Sequence, residues 1–292
     1  MTLVRQDSLA GDAVATTGAS RSFAGFPASA VIVLVGAVLV APFLAPYDPH
    51  AVDILNRLAL PSWQHPLGTD QMGRDVLSRL LHGARLTTGS ALLVVGAAAS
   101  IGTLAGALSG AFGGWLDRVL MRFCEGVSVL PALAIAMIIA GILGLGLTAV
   151  ILSLAAVHWT EYARLVRNIV MVERTKTYVI AAEALGAARF YVIRRHLLPN
   201  IGGPVITLGT YSLSWVILAF AGLSFLGLGV EPGTPEWGRM IADARSHLRS
   251  YPHLVIAPGL TIMAFVIVIN LLGDALGDRL RGVDTNLLRT RR

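Results

Sequence analysis

Stretches without a single charged side chain divide the chain, at residues 22–47, 86–116, 126–160, 201–230 and 254–273. An α-helix rises about 1.5 Å per residue, so roughly 20 mainly apolar residues cross the hydrocarbon core of a bilayer. Each stretch can hold one span, and 126–160 is long enough for two. Gly141, Gly144 and Gly146 interrupt that stretch near its middle and predict a tight turn between a third and a fourth span. The pattern predicts an all-α polytopic membrane protein with six transmembrane helices.

Composition agrees: 55% of residues are hydrophobic and 14% charged, with a mean hydropathy of +0.70. The charged residues decide orientation, because Arg and Lys close to the spans accumulate on the cytoplasmic side. After the fourth span come Arg164, Arg167, Arg174, Lys176, Arg189, Arg194 and Arg195, against Glu161, Glu173 and Glu183. The end of the chain adds Arg279, Arg281, Arg289, Arg291 and Arg292. The loop 161–200 and the tail 274–292 are therefore expected in the cytoplasm, and six spans put the amino terminus there too. Residues 1–27 are polar and small and are expected to be poorly ordered or to lie along the membrane surface. Pro42 and Pro46 stand where cleavage of a leader needs small, accessible residues, which favours an uncleaved first span. The transmembrane domain is then 28–273, with an extracytoplasmic segment at 47–85. The net charge of +6 is explained by this topology, since no basic stripe with interleaved aromatics suggests nucleic acid.

The loop at 178–199, YVIAAEALGAARFYVIRRHLLP, has the layout of a helix, a break and a second helix. Ala181, Ala182, Ala184, Ala187 and Ala188 would let a helix sit deep in a partner's groove, with Tyr178 and Leu185 as apolar anchors. Gly186 permits a sharp exit. Phe190, Ile193 and Leu197 would pack a second helix on the bundle, with Arg189 and Arg194 elsewhere on it, and Pro199 suits the first turn of the fifth span. On the outer side, HPLGTDQMGRDVLSRLLHGARLT predicts an amphipathic helix with Val76, Leu77, Leu80 and Leu81 on one face and an Asp75–Arg79 pair at i,i+4. It reads as an interfacial helix that orients the second span, or as a contact surface.

Gly102, Gly106 and Gly110 recur every four residues and predict close helix packing. Asp117, Arg118, Arg122 and Glu125 read as a short cytoplasmic connection that fixes adjacent helix ends. Ser153, His158 and Asn270 are polar groups inside spans. Thr207, Thr210, Tyr211 and Ser214 share one face of the fifth span and are the candidate lining of a pathway. No acidic residue falls deep in a predicted span, which argues against proton or sodium coupling.

Catalytic signatures are missing from the sequence. It has no zinc-protease helix motif, nucleophile elbow, phosphate loop or Cys-x-x-Cys pair, and its histidines are scattered. Cys124 is the single cysteine, so neither an intrachain disulfide nor a thiolate cluster can form. No catalytic or metal-binding residue is assigned. Gly144–Gly146 and Gly227–Gly229 read as turns at span ends.

With these residues in view, the loop resembles the cytoplasmic coupling motif of ABC importer permeases, with Ala181, Ala182, Gly186, Leu198 and Pro199 in the matching places. HPLGTDQMGRDVLSRLLHGAR at 65–85, WTEYARLVRN at 159–168, RRHLLPN at 194–200 and AGLSFLGLGVEPGTPEWGRM at 221–240 are similar to the C-type subunit of the dipeptide, oligopeptide and nickel importers. The resemblance implies a type I importer permease fold in a bacterial inner or plasma membrane, with both termini cytoplasmic. It also implies a B-type permease partner, two cytoplasmic ATPase subunits or a fused equivalent, an extracytoplasmic binding protein, and surrounding lipid. ATP and Mg would be bound by the ATPase subunits, and no cofactor by this chain. Tyr178, Ala181, Ala182, Glu183, Leu185, Gly186, Arg189 and Pro199 would form the ATPase-coupling segment. Outer segments 47–85 and 229–252, with Trp237 and Arg239, would contact the binding protein or brace the outer mouth. Cargo would be dipeptides or oligopeptides, or alternatively nickel chelates or other small peptide-like or cofactor molecules.

Two positions depart from the pattern. Ile180 stands where the motif usually has Glu, and His196 stands where it has Ile, the latter ordinary in the peptide-type group. Glu183, three residues after Ile180, is the candidate for a relocated acid. A stand-alone secondary transporter or channel would predict inverted repeats or ionisable groups at the midplane, and the sequence has neither.

Overall fold

The computed structural model describes Leu34 and residues 36–289, with the side chains of Glu183, Arg189 and residues 278–289 outside the description. The predicted tail 1–27 and the first part of the predicted first span lie outside the described residues. Those described form helices and no strand, only an isolated bridge between Thr69 and Asp75.

Helix α1 is Val76–Phe112, 37 residues, or about 55 Å at 1.5 Å per residue. That exceeds the roughly 30 Å of a bilayer core, so its first turns extend into the outer segment. The predicted interfacial helix is thus the outer end of the second span rather than a separate element. Val76 and Leu80 are buried, Leu77 and Leu81 half-buried. Asp75 and Arg79 do not pair. The Asp75 carboxylate caps the helix, accepting from the amide and hydroxyl of Ser78, both at 2.7 Å, with His65 Nδ1 at 2.9 Å. A carboxylate folded back on its own first turn cannot also reach forward to i+4. Arg79 instead faces Asp70 at 3.5 Å.

The glycine row lies against α4, Leu147–Arg174. A Cβ on Gly102 or Gly106 would overlap the carbonyl oxygen of Trp159 or Ala163, and one on Gly110 would sit 2.8 Å from Val170 Cβ. The two backbones approach closely because these positions carry no side chain. Helix α4 is the centre of the bundle, burying Ser153, Leu154, His158, Tyr162, Val166 and Val170.

Between them run α2, Gly114–Val129, and α3, Ala132–Leu143. They bend by 95° at Leu130–Pro131, where proline supplies no amide to continue the ladder. The predicted third span is therefore this bent pair, since α3 alone has 12 residues. Asp117, Arg118, Arg122 and Glu125 lie on α2 and not on a connecting loop. Asp117 accepts from Arg167 Nη2 at 2.6 Å and Ser109 Oγ at 2.5 Å, joining the end of α1 to α2 and α4. Arg122 and Glu125 pair at 3.2 Å in the open, a contact that contributes little.

The chain then forms α5, Thr177–Ala184, α6, Arg189–Val192, and a π-turn at Ile193–Leu197 that leads without a break into α7, Leu198–Phe225. A short α8, Trp237–Ala244, crosses the outer end, and α9, His253–Arg289, closes the bundle. The predicted tail 274–292 continues α9 as far as Arg289. Gly144 and Gly146 turn α3 into α4 as expected, and the Gly146 amide donates to Gly229 O at 3.1 Å.

Among the described residues three helices are long and apolar enough to cross a membrane: Val76–Phe112, Phe190–Phe225 and His253–Gly277, with the bent α2–α3 pair as a fourth. The predicted fourth span fails that test because only the first half of α4 is apolar. From Glu161 onward it carries Arg164, Arg167, Glu173 and Arg174. The six-span count is accordingly not reproduced one helix per span. The main core gathers Leu80, Val94, Leu154, Ile217, Phe220 and Trp237, and a second cluster packs Val166, Val170, Val179, Val192, Leu197 and Ile201.

Candidate functional site: the coupling segment and its cavity

Helix α5 is fixed to the bundle by the buried Val179 and by the second cluster. Gly186, at φ +85°, turns the chain out of it, a backbone state that costs other L-residues about 1–2 kcal/mol. The predicted helix, break and helix are all present. The packed face after the break is Val192, Ile193 and Leu197. Phe190 is 74% exposed, so it does not belong to that face. The π-turn shifts the register by one residue, which separates Phe190 from Leu197, and its wide ring precedes Pro199 in the first turn of α7.

On the free side, Leu185 is 89% exposed, and Tyr178, Ile180 and Tyr191 are exposed as well. Ala181 is exposed and Ala182 half-buried. Small residues interrupted by large apolar ones form a surface that a grooved partner can enclose. The Glu183 and Arg189 side chains lie outside the description.

The acid beside α5 is Glu173, at the end of α4. It is 8% exposed and accepts from Lys176 Nζ at 2.5 Å and Tyr178 Oη at 2.5 Å. Asn200 Nδ2, in the first turn of α7, lies 3.2 Å from Tyr178 Oη and 2.8 Å from His196 O. Burial would raise the Glu173 carboxyl, but the Lys176 ammonium and Tyr178 hydroxyl outweigh it and hold it below its ordinary value. Burial first, and then the Glu173 carboxylate, push the Tyr178 hydroxyl up to about 12. It is a hydrogen-bond donor at every physiological pH.

Next to this network a cavity of about 760 Å³ opens between α4 and α7, lined by Glu161, Arg164, Glu173, Lys176, Asn200, Thr207, Tyr211 and others. Two of the four candidate pathway residues are on its wall, Thr207 and Tyr211. The other two are not on that wall, and all four meet α9. A Cβ on Gly273 would sit 2.5 Å from Thr210 Oγ1, and Ser214 Oγ donates to Asn270 Oδ1 at 3.0 Å. Their polar groups serve helix packing because α9 approaches that side through Gly273. Tyr211 Oη donates to Asp274 Oδ1 at 2.5 Å, an acid just beyond the apolar run of α9. The sequence reading missed Glu173, Asn200 and Asp274 as a group. For Glu173 and Asn200 the available signal was their position at helix ends, and for Asp274 that it is the first charge after the apolar run of α9.

On the outer side Trp237 is 1% exposed, donating from Nε1 to Leu80 O at 3.0 Å and meeting Phe265 edge-on. Its ring lies over Gly83, where a Cβ would come within 2.8 Å, so it belongs to the core. Arg239 is half-buried against Asp243 at 2.8 Å. Arg79 donates to Gly233 O at 2.9 Å and Thr234 O at 3.3 Å, and Arg74 pairs with Asp70 at 2.7 Å. The two outer segments brace one another. Glu236 caps α8, accepting from the Gly238 and Arg239 amides at 2.8 and 2.7 Å, while complete burial pushes its carboxyl up. Among the described residues no group of three or more His, Cys, Asp or Glu could hold a metal ion.

The family model for binding-protein-dependent transport system inner membrane components matches residues 102–282. The chain belongs to this family. It is a family of multi-pass inner membrane permeases, subunits of transport systems. The nickel transport system permease protein NikC of Escherichia coli is 38% identical over 242 residues, covering 83% of this chain and 87% of that protein. The glutathione transport system permease protein GsiD of Pectobacterium atrosepticum is 37% identical over 251 residues, covering 86% and 83%. These relatives place the permease among ABC importer permeases of the peptide and nickel group. Its fold is similar to that of an inward-facing methionine ABC transporter, MetNI, with a TM-score of 0.58 at 19% identity over 69% of this chain and 96% of that one.

Proposed function

We propose that this permease forms half of the translocation pathway of an ATP-driven importer for dipeptides and oligopeptides. It pairs with a B-type permease, docks two cytoplasmic ATPase subunits or a fused equivalent, and receives cargo from an extracytoplasmic binding protein. Both termini lie in the cytoplasm. ATP and Mg are bound by the ATPase subunits and no cofactor by this chain. One observation carries the reading: α5 leaves apolar side chains exposed beyond the membrane helices, yet is tied through Glu173 and Asn200 to α4 and α7. A docked partner that moved α5 would move those two helices.

The cavity beside α7 supports small polar cargo, with carboxylates and cations on one wall. Among the relatives' names, glutathione is itself a tripeptide. A second reading, import of a nickel chelate, is favoured by the 38% identity to the nickel permease. Reconstitution of the complex in proteoliposomes with its binding protein separates them, using labelled di- and tripeptides against chelated nickel. ATP-dependent uptake of peptide alone is expected. The importer reading fails if the chain, expressed with its genetic neighbours, never co-purifies an ATP-hydrolysing subunit.

A further inference from the structure

We propose that the Tyr178 hydroxyl is a positioning group for coupling, the joint that keeps α5 in step with α7, with Glu173 as its anchor and Asn200 as its contact on α7. The inference rests on the reading of α5 as the docking helix. Covalently, α5 reaches α7 only through the turn at Gly186 and the short α6, and Val179 is the one apolar side chain that it buries among the described residues. The two-residue junction with α4 and the Val179 anchor hold its first turn, so the polar contacts are what tie that turn to α7.

Those contacts are complete. A tyrosine hydroxyl has one proton to give and can accept, and a primary amide has two protons to give. Tyr178 Oη donates to Glu173 Oε2 at 2.5 Å and accepts from Asn200 Nδ2 at 3.2 Å, the second amide proton goes to His196 O at 2.8 Å, and Asn200 Nδ2 also stands 3.5 Å from Glu173 Oε2, a longer contact than the one through Tyr178. Glu173 Oε1 takes Lys176 Nζ at 2.5 Å. One oxygen atom thus touches α4 through Glu173 and α7 through Asn200 while carried on α5. The carboxylate that this joint uses comes from the preceding helix, although position 180 of α5 itself holds an exposed isoleucine.

The test uses the assembled complex in proteoliposomes, with Tyr178→Phe, Asn200→Ala, the double variant, and Ser128→Ala as a control that removes a hydroxyl hydrogen bond on α2, from Ser128 Oγ to Cys124 O at 2.7 Å. Each single variant should retain its ATPase subunits but hydrolyse about three to ten times more ATP per cargo molecule imported, the range of one lost hydrogen bond. The double variant should be no worse than the singles, since both remove the same joint. An unchanged ratio, additive losses, or loss of the ATPase subunits in Tyr178→Phe would overturn the proposal. A second measurement needs no partner: amide exchange across 177–184 in the isolated chain should quicken in Tyr178→Phe and not in Ser128→Ala. Unaltered exchange also sinks the joint. If no ATP-hydrolysing subunit binds the wild type, the docking reading fails while the exchange result still judges the joint.

Discussion

Substitution of Gly106 by alanine tests the contact that holds the bundle together. The added Cβ would overlap Ala163 O and lie 3.0 Å from both Ala163 C and Arg167 N. Carbon atoms in comfortable contact stand about 3.5–4.0 Å apart, and every obstructing atom here is backbone, so no rotamer change relieves the clash. Helices α1 and α4 must separate by several tenths of an ångström or more, which loosens the contacts of Gly102 and Gly110 above and below. Overpacking of this kind costs about 1–3 kcal/mol. Alanine also favours a helix over glycine by about 1 kcal/mol, which would hide part of the loss. Gly96→Ala supplies the correction, because Gly96 is on the same helix with nothing within 4 Å of its would-be Cβ. The difference between the two variants isolates the steric cost. Thermal unfolding in detergent, followed by tryptophan fluorescence, should place Gly106→Ala below Gly96→Ala by at least about 2–4 °C, the shift expected for each kcal/mol in a chain of this size. Coincident midpoints would refute the close approach of the two helices.

Trp237→Ala should destabilise by about 3–5 kcal/mol, read as the largest fall in midpoint of any outer-segment variant; a stable variant that lost only binding-protein affinity would contradict its burial. Gly186→Ala should strain the exit from α5 by about 1–2 kcal/mol, and faster amide exchange in α5 and α6 than in wild type would register it. Because Glu173 is held below its ordinary 4.5, its contribution is full above that value and is lost as pH falls through the lower folded value. Tyr178, raised to about 12 from 10, contributes fully below 10 and loses its part as pH rises through 12. Protection of 177–184 should therefore be flat between these limits and fall at the acid end, and Glu173→Gln should abolish the acid limb.

The parts that were legible in the chain are those in which one residue type answers a local demand. Gly186 and Pro199 mark the break and the restart of helix without reference to anything distant, and a glycine every fourth residue can only make a bare helix face. Trp237 was left between a contact surface and a brace because its burial depends on Leu80, Gly83 and Phe265, each far away in sequence. Asp75 and Arg79 have the spacing of an ion pair, but spacing does not reveal that Asp75 is the first residue before the helix and is consumed as its cap. Pro131 was visible and is the physical cause of the bend, yet an unbroken apolar run concealed it. The Glu173–Tyr178–Asn200 network bridges 27 residues and exists only because the chain doubles back at Gly186.

The π-turn at Ile193–Leu197 leaves Phe190–Phe225 as 36 helical residues, about 54 Å of path at 1.5 Å each. Its far end is held by the buried Ile217, Phe220 and Leu223, and four residues beyond it Gly229 O receives the Gly146 amide. A rod held at one end acts as a lever, and a tilt of about 5° over that length sweeps the far end by about 5 Å, close to one helical turn. On the proposed docking reading, gearing of this kind would let a modest swing at one end of α7 correspond to a large stroke at the end beside α5.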